Sequence, residues 1–456
     1  MKAPSEYRKA RSRPTARSLD IKVLTEAKDF VALEGEWDEL YETCPQATPF
    51  QSWAWLYSWW EHYREGYRLR LITLRDRDDL LVGLLPLMAK RGRLLLLGGL
   101  VGGDAMTPYK DVLVRKGWEE QVAEALARAL KELGGWWVAD LRELQPQAAA
   151  WNLFQEWDGP QTTRTSSGID EFVLIHSNSW EELLTSVSRN LRKSARSTLR
   201  RLEKDGIRYE PAGPGDDTER AARKQVALHR ELWRGRSIEP DLLTQRYEAF
   251  IVAAARRTTA RGIARISEFW RDDTVIVSQF LLFDENFVGA YVIGASQEAA
   301  RRYQFNTLSV WDAMNVARDK SNPYVSLMNY ATEQKLRWAD EVVPSYRAIL
   351  GHNSASWIPY AAYHALRDRY YGLRSEAQLY AHSENAPRWV RKATDTYYTL
   401  QSYAHSEDAP RWVKKATDGY WALRHEYGYY ALRHKYELAR ARRETRRSSN
   451  ASRPKG

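Results

Sequence analysis

The chain has 456 residues, 43% hydrophobic and 28% charged, which excludes a disordered protein and leaves room for roughly two to four domains. Its one cysteine, Cys44, excludes a disulfide framework within the chain and a cysteine-based zinc site. The net charge of +10 is uneven: residues 1–19 carry +5, residues 351–456 carry +9, and the stretch between them carries −4. The basic character belongs to the two ends, and the middle reads as an ordinary, mildly acidic globular body.

Residues 1–19 lack aliphatic periodicity and read as a basic flexible arm, with no apolar stretch of the kind a secretory signal needs. The longest apolar runs, 80–89 and 94–101, fall short of the ~20 residues that span a bilayer. The expectation is a cytoplasmic protein, touching a membrane only peripherally. A strand at 21–25 is followed by helical spacing through Trp37 and Leu40. Thr48-Pro49-Phe50-Gln51-Ser52 then opens a helix whose Trp53, Leu56, Trp59 and Trp60 suit one buried face. Strands are expected at 69–75 and 80–88, the second at an edge or bulge because of Pro86. Gly98, Gly99, Gly102 and Gly103 lead into Tyr109-Lys110-Asp111; no Gly-Lys-Ser/Thr follows, so they read as turn chemistry rather than a phosphate loop. A helix at 119–133 and a strand at 136–141 close this half. Strands alternating with helices argue for an α/β (α+β) fold.

The second half opens near Asp170 with a strand at 171–175 and a helix from Ser179. On that helix Leu184, Val187, Leu191, Ala195, Thr198 and Leu202 share one side, while Arg189, Arg192, Lys193, Arg196, Arg200 and Lys204 share the other. Like charges at this spacing repel. So many cations on one face fit an anionic partner: nucleotide phosphates, a lipid-linked diphosphate or RNA. A strand near 207–210 and a helix carrying His229 and Trp233 follow. Further strands are expected at 264–269, 274–283, 287–294 and 324–328, with a helix at 307–317.

Gly294-Ala295-Ser296, Arg302-Tyr303, Asn306, Leu308, Trp311 and Ala317, and then Glu333-x-Lys335-x-x-Trp338, resemble the last third of Fem-type transferases and of the related CelD-type acetyltransferases of exopolysaccharide gene sets. The Thr48–Ser52 entry, the Tyr109–Asp111 segment, the arginine-rich helix and the His229/Trp233 helix stand in that family's order. The likeness spans about residues 20–350. It implies two tandem GNAT-like halves, 20–168 and 169–350, with mixed sheets. It also implies transfer of an acetyl or other acyl group from acyl-CoA to an amine or hydroxyl of a sugar or lipid-linked envelope precursor. By family position the catalytic candidates are Tyr303, Asn306, Lys335, Asp111 and His229, with Arg189, Arg192, Lys193 and Arg196 for the donor's phosphates; no metal is implied. One departure stands out: the helix after Asn306 lacks the glycine loop with which GNAT enzymes hold a pyrophosphate. Aminoacyl-tRNA is therefore an alternative donor, and a non-catalytic scaffold a further alternative.

The family likeness ends near 350. Residues 380–400 and 403–423 agree at sixteen of twenty-one positions with a period of 23, an internal duplication within a helical extension spanning 351–438. Trp412, Val413, Ala416, Tyr420 and Leu423 mark one apolar face. His382 and His405 stand 23 apart without nearby ligand partners, so no metal site is expected there. Such aromatic, basic helices suit packing on the body or on a second copy, an anionic membrane, or RNA. Residues 439–456 read as a basic disordered tail.

Overall fold

The computed structural model describes residues 19–99, 107–166, 171–233, 242, 244–320, 324–329 and 331–362. The duplicated repeats, the basic tail and the N-terminal arm up to residue 18 lie outside the described residues, as do Gly102 and Gly103.

The first half runs β1 (Asp20–Leu24), α1 (Ala27–Ala32), α2 (Glu34–Thr43), a 3-10 turn at Pro49–Gln51 and α3 (Trp53–Tyr63). It continues through β2 (Arg68–Arg75), β3 (Leu81–Lys90), β4 (Arg93–Leu96), β5 (Leu113–Val114), α4 (Glu119–Glu132), β6 (Val138–Leu144), α5 (Ala150–Glu156) and β7 (Gln161–Ser166). The second half opens with β8 (Phe172–Ile175), α6 (Trp180–Ser186), α7 (Arg189–Lys204), β9 (Arg208–Pro211), α8 (Asp216–Leu232) and α9 (Gln245–Ala260). β10 (Ala264–Arg271), β11 (Thr274–Phe283), β12 (Val288–Ala295), α10 (Gln297–Arg302) and α11 (Phe305–Lys320) follow. The chain then forms β13 (Val325–Ser326), α12 (Glu333–Leu336), β14 (Glu341–Val343) and β15 (Ser345–Gly351). Residues 354–362 are helical.

These strands make two mixed sheets. The first has the order β1-β2-β3-β4-β6-β15-β7, with β5 also on β3; the second, read from its far edge, has the order β9-β10-β11-β12-β13-β8-β14. Position by position the two orders correspond, with one parallel pair in each among the described residues: β4 with β6, and β12 with β13. The fold is thus α+β in two repeated layers, as the alternation of elements predicts.

The structure departs from the sequence reading at five places. The helix expected from Ser179 onward is two helices, because Val187 is extended and the Ser188 hydroxyl accepts from Leu191 N at 3.3 Å to start α7 afresh. The apolar residues assigned to one side of it are all buried nonetheless. Helix α3 buries nearly its whole circumference rather than one face, since it packs against α9 as well as its own half. α9 itself has no counterpart among the predicted elements. Pro86 lies in an interior strand: β3 pairs with β5 at 83–84 and with β4 at 87–90, and Pro86 falls in the gap, where no N–H is needed. Finally β15, counted by sequence position with the second half, pairs with β6 and β7 of the first sheet.

The seam between the halves is aromatic. Phe50 packs edge-on to Phe287 at 6.0 Å and tilted against Tyr291 at 5.6 Å, and Trp55 meets Phe250 at 5.1 Å. Rings at these separations add to the area they bury. Polar contacts pin the same seam: Tyr41 donates to Asp284 at 2.5 Å, and Arg261 reaches Asp38 at 2.7 Å and Glu34 at 2.5 Å.

Candidate functional site

β12 and β13 run parallel and pair over only two positions, Val288 with Val325 and Gly289 with Ser326. Against β11 on its other side, β12 slips register: Phe280 faces Val292 while Leu281 faces Ala290, so Tyr291 is an extra, bulged residue. A bulge bends its strand and ends regular pairing. Beyond Gly289 no strand pairs with this edge of β12 among the described residues, and Ala290, Tyr291, Val292 and Ile293 are half-buried in what is otherwise an interior strand. The result is a wedge whose β12 wall presents main-chain N–H and C=O groups.

α8 crosses this strand at Gly294. A Cβ there would lie 2.5 Å from His229 N and 2.7 Å from Gln225 O, so only glycine lets the helix approach. The close approach lets His229 Nδ1 reach Ile293 O at 2.9 Å. His229 is buried, its Nε2 has no partner among the described residues, and loss of hydration lowers its pKa. It supports the wedge wall as a neutral imidazole.

The chain leaves β13 through Met328, a non-glycine residue at φ 65°, which turns Asn329 O toward Lys335. Lys335 Nζ donates to that carbonyl at 2.7 Å. Thr332 caps α12 by accepting from Lys335 N at 3.4 Å. Burial, with no carboxylate partner among the described residues, draws the Lys335 pKa down to about 8. Next to it Gln334 accepts from Asn306 Nδ2 at 2.5 Å, joining the first turn of α11 to α12. The main chain enters α11 with Thr307 N and Leu308 N donating to the Gln304 carbonyl. Of the five catalytic candidates the structure thus brings Lys335 and Asn306 together, with His229 holding β12. Trp338 stacks on Trp180 at 5.7 Å and is part of the core.

Tyr303 and Asp111 serve elsewhere. Tyr303 donates to Asp205 at 2.6 Å, and Arg302 grips the same carboxylate through both nitrogens, which ties the end of α10 to the end of α7. Asp111 accepts from Val112 N, Ala149 N and Ala150 N at 2.6–2.9 Å and so caps α5. Burial outweighs those three bonds and raises its pKa to about 7.

The cationic side chains of α7 divide in the same way. Arg192 turns back to cap α6, donating to Leu184 O at 2.5 Å and Thr185 O at 3.0 Å. Arg196 pairs with Glu181 at 2.9 Å, both exposed. Arg189, Lys193 and Arg200 are exposed to solvent. Contacts between Ser194 and Gln304, and between Arg201 and Arg302 O, place α7 beside the start of α11. The cations therefore flank the helix that carries Asn306.

A second concavity of about 250 Å³ lies on the seam, lined by Thr48, Tyr109, Lys110, Asp111 and Gln145 from the first half and by Asn286 and Tyr324 from the second. Tyr109 and Ser326 hydrogen-bond at 2.5 Å, and Lys110 pairs with Glu143 at 2.8 Å. Tyr109 and Glu143 both have positive φ, 59° and 60°. Such backbone positions gather at functional sites. Periodicity could not have found this pocket, the bulge at Tyr291 or the short β13, because each is set by pairing between distant segments. A broader groove of about 580 Å³ between α8 and α9 has its charges paired internally, Arg230 with Glu248 at 2.7 Å and Arg223 with Glu248 at 3.5 Å.

No curated protein matches the chain. Among solved structures it is similar to a conserved protein of unknown function from Bacteroides thetaiotaomicron (10% identity, 72% of this chain and 100% of that one, TM-score 0.47). It is also similar to the C-terminal domain of a putative lysylphosphatidylglycerol synthetase from Agrobacterium fabrum (10% identity, 75% and 96%, TM-score 0.46) and to FemX (13% identity, 69% and 95%, TM-score 0.49). Residues 189–335, from the start of α7 to Lys335, match the family described as acetyltransferase (GNAT) domain. The wedge, α7 and α11 all fall within that match.

Proposed function

We propose that the chain is a GNAT-fold acyltransferase that moves an acetyl or other acyl group from acyl-CoA onto an amine or hydroxyl of a sugar or lipid-linked envelope precursor, as in exopolysaccharide synthesis. The observation that carries this reading is the wedge opened by the Tyr291 bulge, with the half-buried Lys335 nearby. The donor's acyl arm lies along the β12 edge, whose main-chain groups meet its amides and its carbonyl oxygen as charge develops there. Lys335 takes the proton of the attacking group, a role its lowered pKa suits. Asn306 and Gln334 fix the spacing between α11 and α12. In place of a glycine loop, the exposed Arg189 and Lys193 meet the donor's phosphates, with Arg196 beside them. The seam pocket, with its amides, hydroxyls and tyrosine rings, receives the acceptor.

Isothermal titration of acetyl-CoA into the full chain tests this reading. Saturable binding, weakened several-fold in Lys193→Gln, supports it. Absence of acyl-CoA binding, together with turnover unchanged in Lys335→Ala and Asn306→Ala, discards it. The exposed cations on α7 and the missing glycine loop favour one second reading, an aminoacyl-tRNA donor. That reading requires tRNA binding that weakens steeply with salt, and a chain that ignores tRNA at low salt removes it.

A further inference from the structure

The second sheet carries a buried polar cluster that the acyl-transfer reading does not use. Asp312 lies fully buried on the core side of α11, where its neighbours Val310, Ala313, Met314 and Val316 are apolar. Its Oδ1 accepts from Tyr209 of β9 at 2.5 Å and from Arg265 and Ser267 of β10 at 2.8 and 3.0 Å. Arg265 also donates to the Tyr209 hydroxyl at 2.7 Å, which closes a ring of three groups. One turn earlier on α11, the Ser309 carbonyl accepts from Gln279 Nε2 of β11 at 3.2 Å. Ser267 and Gln279 stand opposite each other in register, so the cluster spans β9, β10 and β11 beneath one helix. A comparable carboxylate stands in the first sheet: Asp140, also buried, accepts from Arg93, Arg142 and Arg347 through both oxygens and ties β4, β6 and β15 to one another. Asp312 instead ties a helix to strands.

Stability does not account for this arrangement. Asp312 Oδ2, Arg265 Nε and Gln279 Oε1 are buried without partners among the described residues. Unmet polar groups weaken a fold, and apolar side chains of similar volume hold a helix on a sheet at least as firmly as a buried ion pair does. What apolar packing lacks is direction. Hydrogen bonds weaken steeply when bent, so bonds from three strands fix α11 both along its axis and about it. That placement reaches the candidate site. Asn306 stands six residues before Asp312, about 9 Å along the helix, and its amide donates to Gln334 beside Lys335. Gln304, just ahead of α11, bonds to Ser194 of α7. We propose that Asp312, held by Arg265, Tyr209 and Ser267, is a positioning residue that sets the register of α11 on the second sheet and, through Asn306, the place of α12 and Lys335. The proposal rests on the acyl-transfer reading and adds to it a residue that acts at one remove from the reacting groups.

The test compares the full chain with an apolar triple variant, Asp312→Leu, Arg265→Met and Tyr209→Phe, using acetyl-CoA as donor and glucosamine as the probe acceptor. The triple should melt within a few degrees of wild type. It should bind acetyl-CoA within about threefold of wild type, because the β12 edge and the α7 cations are unchanged. Its kcat should fall by about tenfold to a hundredfold, since a misplacement of the order of 1 Å suffices for that. Asn306→Ala should cost far less in the triple than in wild type, because both changes act through one contact. The Asn306 side-chain amide signal, read from nitrogen-15-labelled asparagine and assigned through Asn306→Ala, should shift in the triple. It should stay in place in Val122→Ala, a core change in α4. If the triple does not fold, Asp312→Asn, which keeps an acceptor and drops the charge, carries the same comparisons. An unmoved Asn306 signal, a wild-type kcat, or losses that multiply independently overturn the assignment. Where the wild type shows no turnover the acyl-transfer reading fails, and the Asn306 signal alone upholds or overturns the positioning.

Discussion

The two sheets follow one strand order and differ at the parallel junction. In the first, β4 and β6 stay paired from Arg93–Val138 to Leu95–Asp140, and β15 seals the far edge of β6 over its whole length. In the second, β12 and β13 occupy the same positions but separate after two pairs, and an extra residue, Tyr291, bulges where they part. The first junction is a closed wall whose buried charge is anchored on Asp140. The second is an open edge, and the chain that leaves β13 runs on to Lys335 and its bond to Asn329 O. One inserted residue and a strand of two residues turn a repeated framework from a wall into a cleft, so the difference lies in local pairing and not in the architecture.

The sharpest way to break this comparison is at Lys335. Lys335→Ala should lower the rate of acyl transfer, followed as release of the free CoA thiol, by about 10²–10⁴-fold with little change in melting temperature. Lys335→Arg should not restore it, because arginine does not give up its proton. In the wild type the rate should climb as pH rises through about 8, as Lys335 becomes neutral. A rate that survives Lys335→Ala erases the functional contrast between the sheets.

The closed sheet should show the converse behaviour. Asp140→Ala strands three guanidiniums and should cost about 3–5 kcal/mol in denaturant unfolding. A cost below about 1 kcal/mol would mean that the arginines do not depend on their hub.

At the open junction, Gly294→Ala drives a methyl group into the main chain of α8. We expect about 1–3 kcal/mol of destabilisation by the same measurement. It should also disturb the His229 ring, whose bond to Ile293 O depends on that approach. An unchanged His229 NMR signal would show that α8 can move aside freely.

The most gradual effect, spread over several pH units, concerns the seam that joins the two sheets. Burial raises Asp111 to about 7 and Asp284 to about 6, against an ordinary value of 3.8. Both bind their protons more tightly when folded, so their contribution to stability is complete below about 3.8 and is lost as pH rises through 6 and 7. Unfolding free energy should therefore fall between pH 5 and 8 by up to about 4 kcal/mol from these two groups, at about 1.4 kcal/mol per pH unit for each while only the folded state keeps its proton. His229, with its lowered pKa, works in the opposite sense. Comparing slopes isolates one carboxyl: Asp111→Asn should flatten the upper part of the decline, and an unchanged slope would rule Asp111 out as its source.

The amino-acid sequence determined much of this molecule by local rules. The apolar side of α7, the basic side opposite it, the strands at 274–283 and 264–269, and the alternation that makes an α+β body are all periodicities of side-chain burial, and periodicity is written along the chain. The ordered landmarks from Gly294 to Trp338 single out Tyr303, Asn306 and Lys335 by residue type and order alone. What only the tertiary structure decided depends on partners far apart in sequence. The three backbone N–H groups that occupy Asp111, the α6 carbonyls that bind Arg192, the Tyr303–Asp205 tie, the return of β15 to the first sheet and the opening beside Tyr291 all arise this way. A side chain's chemistry is readable from its type. Whether that chemistry is spent on the fold or left free is set by which distant groups reach it, and those distances are fixed only when the sheets close.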